Sequence, residues 1–252
     1  IAVDGDTIRC WGRAHGPESM AEGLQNSCNP VFVELALRMG TDTFYRYLTS
    51  FGLGKSTGLD LPGESEGILI GSRYVKNVDL ARIGFGQSVA VTPLQLMMAA
   101  NACINGGKLM KPQLLVDAKP EVRGNIPFSE EARKLVLEGM RVTADVGTAK
   151  VLRRTDAVIG GKTGTAQVVK IRMVGERRQR TAEMAYLERD HAWIASYGRK
   201  DGKDVVVVVM LEHGGGGSSA AGPVARDVYN ILYGTPLGPQ PQRAVTRTVR
   251  ED

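Results

Sequence analysis

Cysteine is scarce in this chain, with only Cys10, Cys28 and Cys103 in 252 residues. An odd count without a C-x-x-C pair lacks the spacing of zinc ribbons and fingers. Histidine is equally sparse, and His15, His191 and His213 form no H-x-x-x-H pattern. No metal site and no cofactor are therefore expected. No apolar run is long enough to cross a bilayer, and no signal peptide opens the sequence. A strong charge bias is also missing. The formal net charge is +5, and much of the basic excess lies in residues 170–189 and in the tail at 240–250. Solvated loops account for such stretches better than a nucleic-acid surface does, so no nucleic-acid partner is expected. Internal repeats are absent.

What remains is the composition of an ordinary globular protein, long enough for one large domain or two small ones. The stretch AVIGGKTGTAQVVK, residues 157–170, draws attention first. G-K-T is the ending of a phosphate-binding P-loop, but that motif needs a glycine where Asp156 stands and a helix after the Lys-Thr. Here TAQVV reads as strand. The surviving interpretation is a strand that presents Lys162, Thr163 and Thr165 to an anionic, peptide-like ligand, with Gly164 leaving the backbone bare. Upstream lies a second short motif, Ser27-Cys28-Asn29. Taken alone it is also an ordinary helix-capping turn before Pro30.

Along the chain, residues 1–12 read as extended or irregular and 18–26 as a short helix. Asn29 is the expected cap of the next helix, with Pro30 in its first turn, and Gly40 ends it. Thr41 starts another, carrying Phe44, Tyr45, Leu48 and Phe51 on one face. Residues 52–78 suit a long surface excursion. Thr92, Pro93 and Gly106-Gly107 bracket a helix, and 129–142 form one with Glu130 and Glu131 at its positive end. A strand at 157–169 is followed by a charged insert at 170–190. Then come a strand at 191–198, a turn at Asp201-Gly202, a strand at 204–212 and a final helix at 219–233. The five valines from Val205 predict burial on both faces. Helices followed by a hairpin and a last helix give an α+β plan, an antiparallel sheet packed against helices on both faces.

Ser-x-Asn upstream of Lys-Thr-Gly is the pattern of penicilloyl serine transferases. The segments NSCNPVFVELALRMG, FGLGKSTGLDLPGE, GFGQSVAVTPLQL, GGKTGTAQVV, RDHAWIASYG and EHGGGGSSAAGPVA, in that order, resemble class B penicillin-binding proteins over residues 1–233. The insert after Lys170 most resembles elongation-type members, with division and sporulation types open. The resemblance implies a transpeptidase domain at 1–235 and a basic tail at 236–252. Its substrates would be peptidoglycan stem peptides, its inhibitors β-lactam antibiotics, and its partners other cell-wall synthesis proteins. It also implies an extracytoplasmic location, with the full-length protein anchored by an N-terminal transmembrane helix.

By the same resemblance, Ser27 shuttles a proton to the leaving amine, and Asn29 orients the substrate amide. Lys162 supplies charge to the substrate carboxylate and supports the relay. Thr163 and Thr165 offer hydroxyls to that carboxylate, and the Thr165 N–H forms half of the oxyanion hole. The family's nucleophile is the serine of a Ser-x-x-Lys upstream of Ser-x-Asn, yet no serine here has lysine three residues on. The expectation is a domain cut after its nucleophile, unstable alone and open beside Ser27 and Lys162. A serine β-lactamase or sensor relative, and a non-catalytic module of a wall-building complex, are the alternative readings. Gly214 to Ser219 lacks both a phosphate-loop context and a G-x-S-x-G elbow. His191 reads as a packing residue at a strand start. Cys10 and Cys28 become a possible disulfide in an oxidising compartment.

Overall fold

The computed structural model describes residues 1–12, 14–59, 61–170 and 173–234, so the basic tail expected at 236–252 lies outside the described residues. A small hairpin, β1 (Ala2–Val3) and β2 (Asp6–Thr7), leads to helix α1 (Met20–Asn26). Ser19 and Glu22 close a capping box at its start, satisfying amides that the first turn leaves without partners. Helix α2 (Asn29–Ser50) follows at once. Its cap is Cys28 and not Asn29, which already lies in the first turn beside Pro30. The cap residue must be extended, and Cys28 is (φ −81°, ψ 104°). Gly40, at φ 71° and ψ 161°, interrupts α2 at the predicted break.

Residues 52–78 are tied down more firmly than a surface excursion requires. The Gln95 side chain, almost fully buried, donates to the carbonyls of Lys55 at 2.8 Å and Glu66 at 2.9 Å and accepts from the Thr92 amide. Within the excursion, Glu64 accepts from the amides of Thr57 and Gly58. Helix α3 (Asn77–Gly84), which begins inside the excursion expected at 52–78, buries Leu80, Ala81 and Ile83. Helix α4 (Pro93–Ile104) has the predicted Thr92 cap. A short hairpin of β3 (Lys108–Met110) and β4 (Val122–Asn125) precedes α5 (Glu130–Asp145), capped by Ser129.

The main sheet has three antiparallel strands in the order β5 (Val158–Ala166), β8 (His191–Lys200), β9 (Lys203–Leu211). Between β5 and β8, the charged insert forms a short hairpin of β6 (Met173–Val174) and β7 (Arg177–Arg178). The chain ends in a π-turn, Gly217–Ala221, and helix α6 (Gly222–Leu232). Alternation along the strands divides the core. Ile159, Ala192, Ile194 and Val207 pack with Leu152, Ala225 and Tyr229 on one face. Tyr197 and Val206 pack with Ile104 and Met140 of α4 and α5 on the other. Helices thus cover both faces, as the valine run predicted. Only Val207 of the five is fully buried, because β9 is an edge strand among the described residues. Two hydroxyls deep in this core satisfy each other: Tyr229 donates to Ser196 Oγ at 3.0 Å, and Ser196 donates to the Val207 carbonyl at 2.9 Å.

Candidate active site

The two motifs meet at β5, the other edge of the sheet. Ser27 closes α1 in the left-handed region, φ 54° and ψ 49°, a conformation that costs a non-glycine residue about 1 kcal/mol. Such a residue persists only where its surroundings hold it. Cys28 donates its amide to the Gly23 carbonyl at 2.9 Å, and Gly23 is pressed against Val31 so closely that a Cβ would lie 2.7 Å from Cγ1. Gly139 of α5 admits Leu24 in the same way, at 2.6 Å. Two glycines therefore let α1 sit against both α2 and α5, and this delivers Ser27 to β5.

Lys162 Nζ donates to Ser27 Oγ at 2.7 Å and to the Thr163 carbonyl at 2.8 Å. Burial pulls its ammonium down from 10.5 to about 8, because desolvation disfavours the charged form. A charged Lys162 keeps one hydrogen free for an anion. A neutral Lys162 has a lone pair and can accept the Ser27 proton. Both behaviours suit a group that binds a carboxylate and relays a proton.

The other predicted residues divide. Thr163 is buried, and its hydroxyl donates to Thr148 Oγ1 at 2.8 Å. Thr165 is exposed and its Oγ1 accepts the Gly217 amide at 3.2 Å, which leaves the hydroxyl proton free. The bare backbone at Gly164 is met by Trp193 and by Gly217, where a Cβ would fall 2.3 Å from the Gly164 carbonyl oxygen. Asn29 Nδ2 reaches the Arg9 carbonyl at 3.5 Å and turns toward that segment, whereas the partners of Lys162 are Ser27 Oγ and the Thr163 carbonyl. A groove of about 470 Å³ continues past the end of β5, lined by Ile68, Ile70, Gln87, Ser88, Ala166 and Gln167, among others. His191 behaves as a packing residue, its Nδ1 accepting the His213 amide at 2.9 Å.

Behind the Ser-x-Asn turn the fold assembles metal-binding donors that spacing did not reveal. Donor atoms of Cys10, His15 and Cys28 lie within 4.8 Å of one another, and Cys10 Sγ is 3.5 Å from His15 Nδ1. Both thiols are free. Beside them the Glu18 side chain is buried, with Oε2 3.7 Å from His15 Nδ1. Burial, followed by a hydrogen bond to Glu18, pushes the Cys28 thiol up to about 12. Two sulfurs and an imidazole are donors of the kind that bind zinc, and such an ion would fix the turn that carries Ser27 and Asn29. The signal was one of contact in space, since the cysteine spacing, C-x₄-H-x₁₂-C, matches no short motif.

The two motifs face each other at the edge of an antiparallel sheet that carries helices on both faces. Residues 1–230 match the family model described as the penicillin binding protein transpeptidase domain, and the chain belongs to that family. It is 40% identical over 180 residues to the stage V sporulation protein D of Bacillus subtilis, covering 67% of this chain and 28% of that protein. It is 29% identical over 222 residues to the peptidoglycan D,D-transpeptidase MrdA of Acinetobacter baumannii, covering 80% and 33%. The chain thus spans about a third of the length of these relatives. Among solved structures, the complex of a penicillin-binding protein (PBP2) with MreC from Helicobacter pylori matches with a TM-score of 0.77 and 25% identity, over 93% of this chain and 44% of that one. The transpeptidase domain of penicillin-binding protein 3 from Burkholderia pseudomallei matches in fold, with a TM-score of 0.75, 23% identity and coverage of 95% and 71%. Among the described residues, no helix is long and apolar enough to cross a membrane.

Proposed function

We propose that this chain is the binding and proton-relay part of a peptidoglycan D,D-transpeptidase, which cross-links stem peptides through a serine acyl-enzyme and is inhibited by β-lactams. The carrying observation is the 2.7 Å contact between Lys162 Nζ and Ser27 Oγ. It joins residues 135 positions apart, in the roles the family pattern assigns. Lys162 charges the carboxylate subsite and Ser27 passes the proton to the leaving amine. Asn29 orients the substrate amide, and Thr163, Gly164 and Thr165 line the strand along which the substrate lies. The Thr165 N–H serves as an oxyanion donor, a type of contact that contributes about 3 kcal/mol to the barrier.

The setting follows from the same reading: outside the cytoplasmic membrane, beside other wall-building proteins. The Helicobacter pylori relative is seen with MreC, which makes a protein of that kind the first partner to test. No serine in these residues starts a Ser-x-x-Lys, so residues 1–252 alone should form no covalent adduct with a fluorescent penicillin. The full-length protein should be labelled, and Lys162→Ala should slow labelling by orders of magnitude while the thermal transition stays cooperative. A change within a factor of about three, ~0.7 kcal/mol, removes Lys162 from the site. An unlabelled full-length protein favours the non-catalytic module instead.

A further inference from the structure

The carboxylate subsite contains a hydroxyl that lies outside both motifs. After α5 the chain turns at Gly147-Thr148 and passes to Ala149 and Leu152, which sit under Gly161 on the sheet face opposite Lys162. The turn therefore rounds β5 where Lys162 and Thr163, on alternate faces, both reach the edge. It is also fastened to the Ser-x-Asn segment. The Thr148 amide donates to the Gln25 carbonyl at 3.4 Å, and a Cβ on Gly147 would lie 2.6 Å from that same oxygen. Thr148 is thus held between the residue two before Ser27 and the residue after Lys162.

Its hydroxyl touches that of Thr163 at 2.8 Å. Two hydroxyls in contact place one proton between them and keep the other to give. Thr163 is 9% exposed and donates to Thr148, which is only half-buried. The spare O–H therefore belongs to Thr148, on the outer side of the pair. The same strand carries, on either side of Thr163, the Lys162 ammonium, with one hydrogen to spare, and the Thr165 hydroxyl, which accepts from Gly217 and so keeps its own proton. We propose that Thr148 is a substrate-binding residue, its hydroxyl donating to the terminal carboxylate of the acyl-donor peptide alongside Lys162 and Thr165. This deepens the transpeptidase reading and rests on it.

The test measures dissociation constants of the full-length protein for an N-acylated peptide ending in D-Ala-D-Ala and for its C-terminal amide. Wild type should prefer the acid. Thr148→Val should weaken the acid about tenfold, or 1.4 kcal/mol, the size expected for a bond to a charged group, and change the amide less than twofold. Thr148→Ser should restore the acid to within threefold. Thr148→Ala, which keeps the backbone bond to Gln25, repeats the comparison if the valine variant unfolds. Unchanged acid binding in Thr148→Val, or equal losses for acid and amide, overturns the proposal in favour of a packing role. A wild-type protein that does not distinguish the acid from the amide overturns the carboxylate reading of the whole site, and this inference with it.

Discussion

Raising the pH past 8 should move apo stability and ligand affinity in opposite directions, both through Lys162. In the apo domain its ammonium is desolvated, and two of its three hydrogens go to Ser27 Oγ and the Thr163 carbonyl. The fall from 10.5 to about 8 corresponds to about 3 kcal/mol by which the fold disfavours the charged form. The unfolded chain keeps the proton until 10.5, so between the two values it binds more protons than the folded state. Unfolding free energy therefore rises with pH across that window. Below pH 8 the whole penalty is present, and above 10.5 it is gone. A bound carboxylate reverses the preference because it pairs with the charged form. Its affinity should be flat below pH 8 and fall by up to tenfold per pH unit above it.

Urea unfolding of the full-length protein between pH 7 and 10, for wild type and Lys162→Met, isolates the term as a difference. Tyr197 and Tyr229 are pushed up by burial. They stay neutral while unfolded tyrosines ionise, so they lower stability only as the pH passes about 10. The thiols of Cys28 and Cys103, also pushed up by burial, lower stability as the pH passes about 9 in both proteins alike, so the lysine is read from the difference between them. Binding of the D-Ala-D-Ala peptide over the same range supplies the second arm. Parallel stability curves for the two proteins, or an affinity indifferent to pH in wild type, would refute the burial assigned to Lys162.

Purified protein should carry about one zinc per chain by elemental analysis, lost in Cys28→Ser and in His15→Ala; failure to take up zinc from a buffered solution counts against the Cys10–His15–Cys28 site. Binding should strengthen as pH rises, since the Cys28 thiol must lose its proton to the metal. Gly160→Ala places a Cβ 2.3 Å from the Tyr197 ring, an overpacking that should cost about 1–3 kcal/mol, read as a lower urea midpoint at unchanged slope. Residues 1–252 expressed alone should bind a hydrophobic dye and self-associate at micromolar concentration through the outer edge of β9. A monomer with a cooperative transition and no dye binding would contradict this.

The elements most legible in sequence were those whose signals are local. Thr92 and Pro93 mark the start of α4, Ser129 that of α5, and the left-handed Asp201-Gly202 turn joins β8 to β9. The interrupted helix at Gly40 was legible because glycine alone adopts φ 71° cheaply. Helix α3 escaped because it has only eight residues and runs into glycines at its C-terminal end, Gly84 and Gly86. Asn29 was misjudged as a cap because side-chain preference pointed to it, while the backbone had already turned helical one residue earlier.

The site was legible only in part, and the division has a physical cause. Ser27 and Lys162 belong to short motifs whose order along the chain carries information, and the fold brings them to 2.7 Å. Thr148, Gln25 and Glu18 belong to no motif, and their importance comes from where helix packing puts them. Gly23, Gly139 and Gly147 each lack a side chain at a point where α1 meets a neighbour, with virtual Cβ distances of 2.7, 2.6 and 2.6 Å. A glycine inside a helix ordinarily costs about 1 kcal/mol. Gly23 in α1 and Gly139 in α5 bear that cost and, in exchange, let α1 close on its neighbours. The same approach seats Ser27 against Lys162 and brings Cys28 to Cys10 and His15. Close packing of α1 is thus the common origin of the Lys162–Ser27 contact, the Cys10–His15–Cys28 cluster and the placement of the Thr148 hydroxyl. A substitution that pushes α1 away should weaken all of them together.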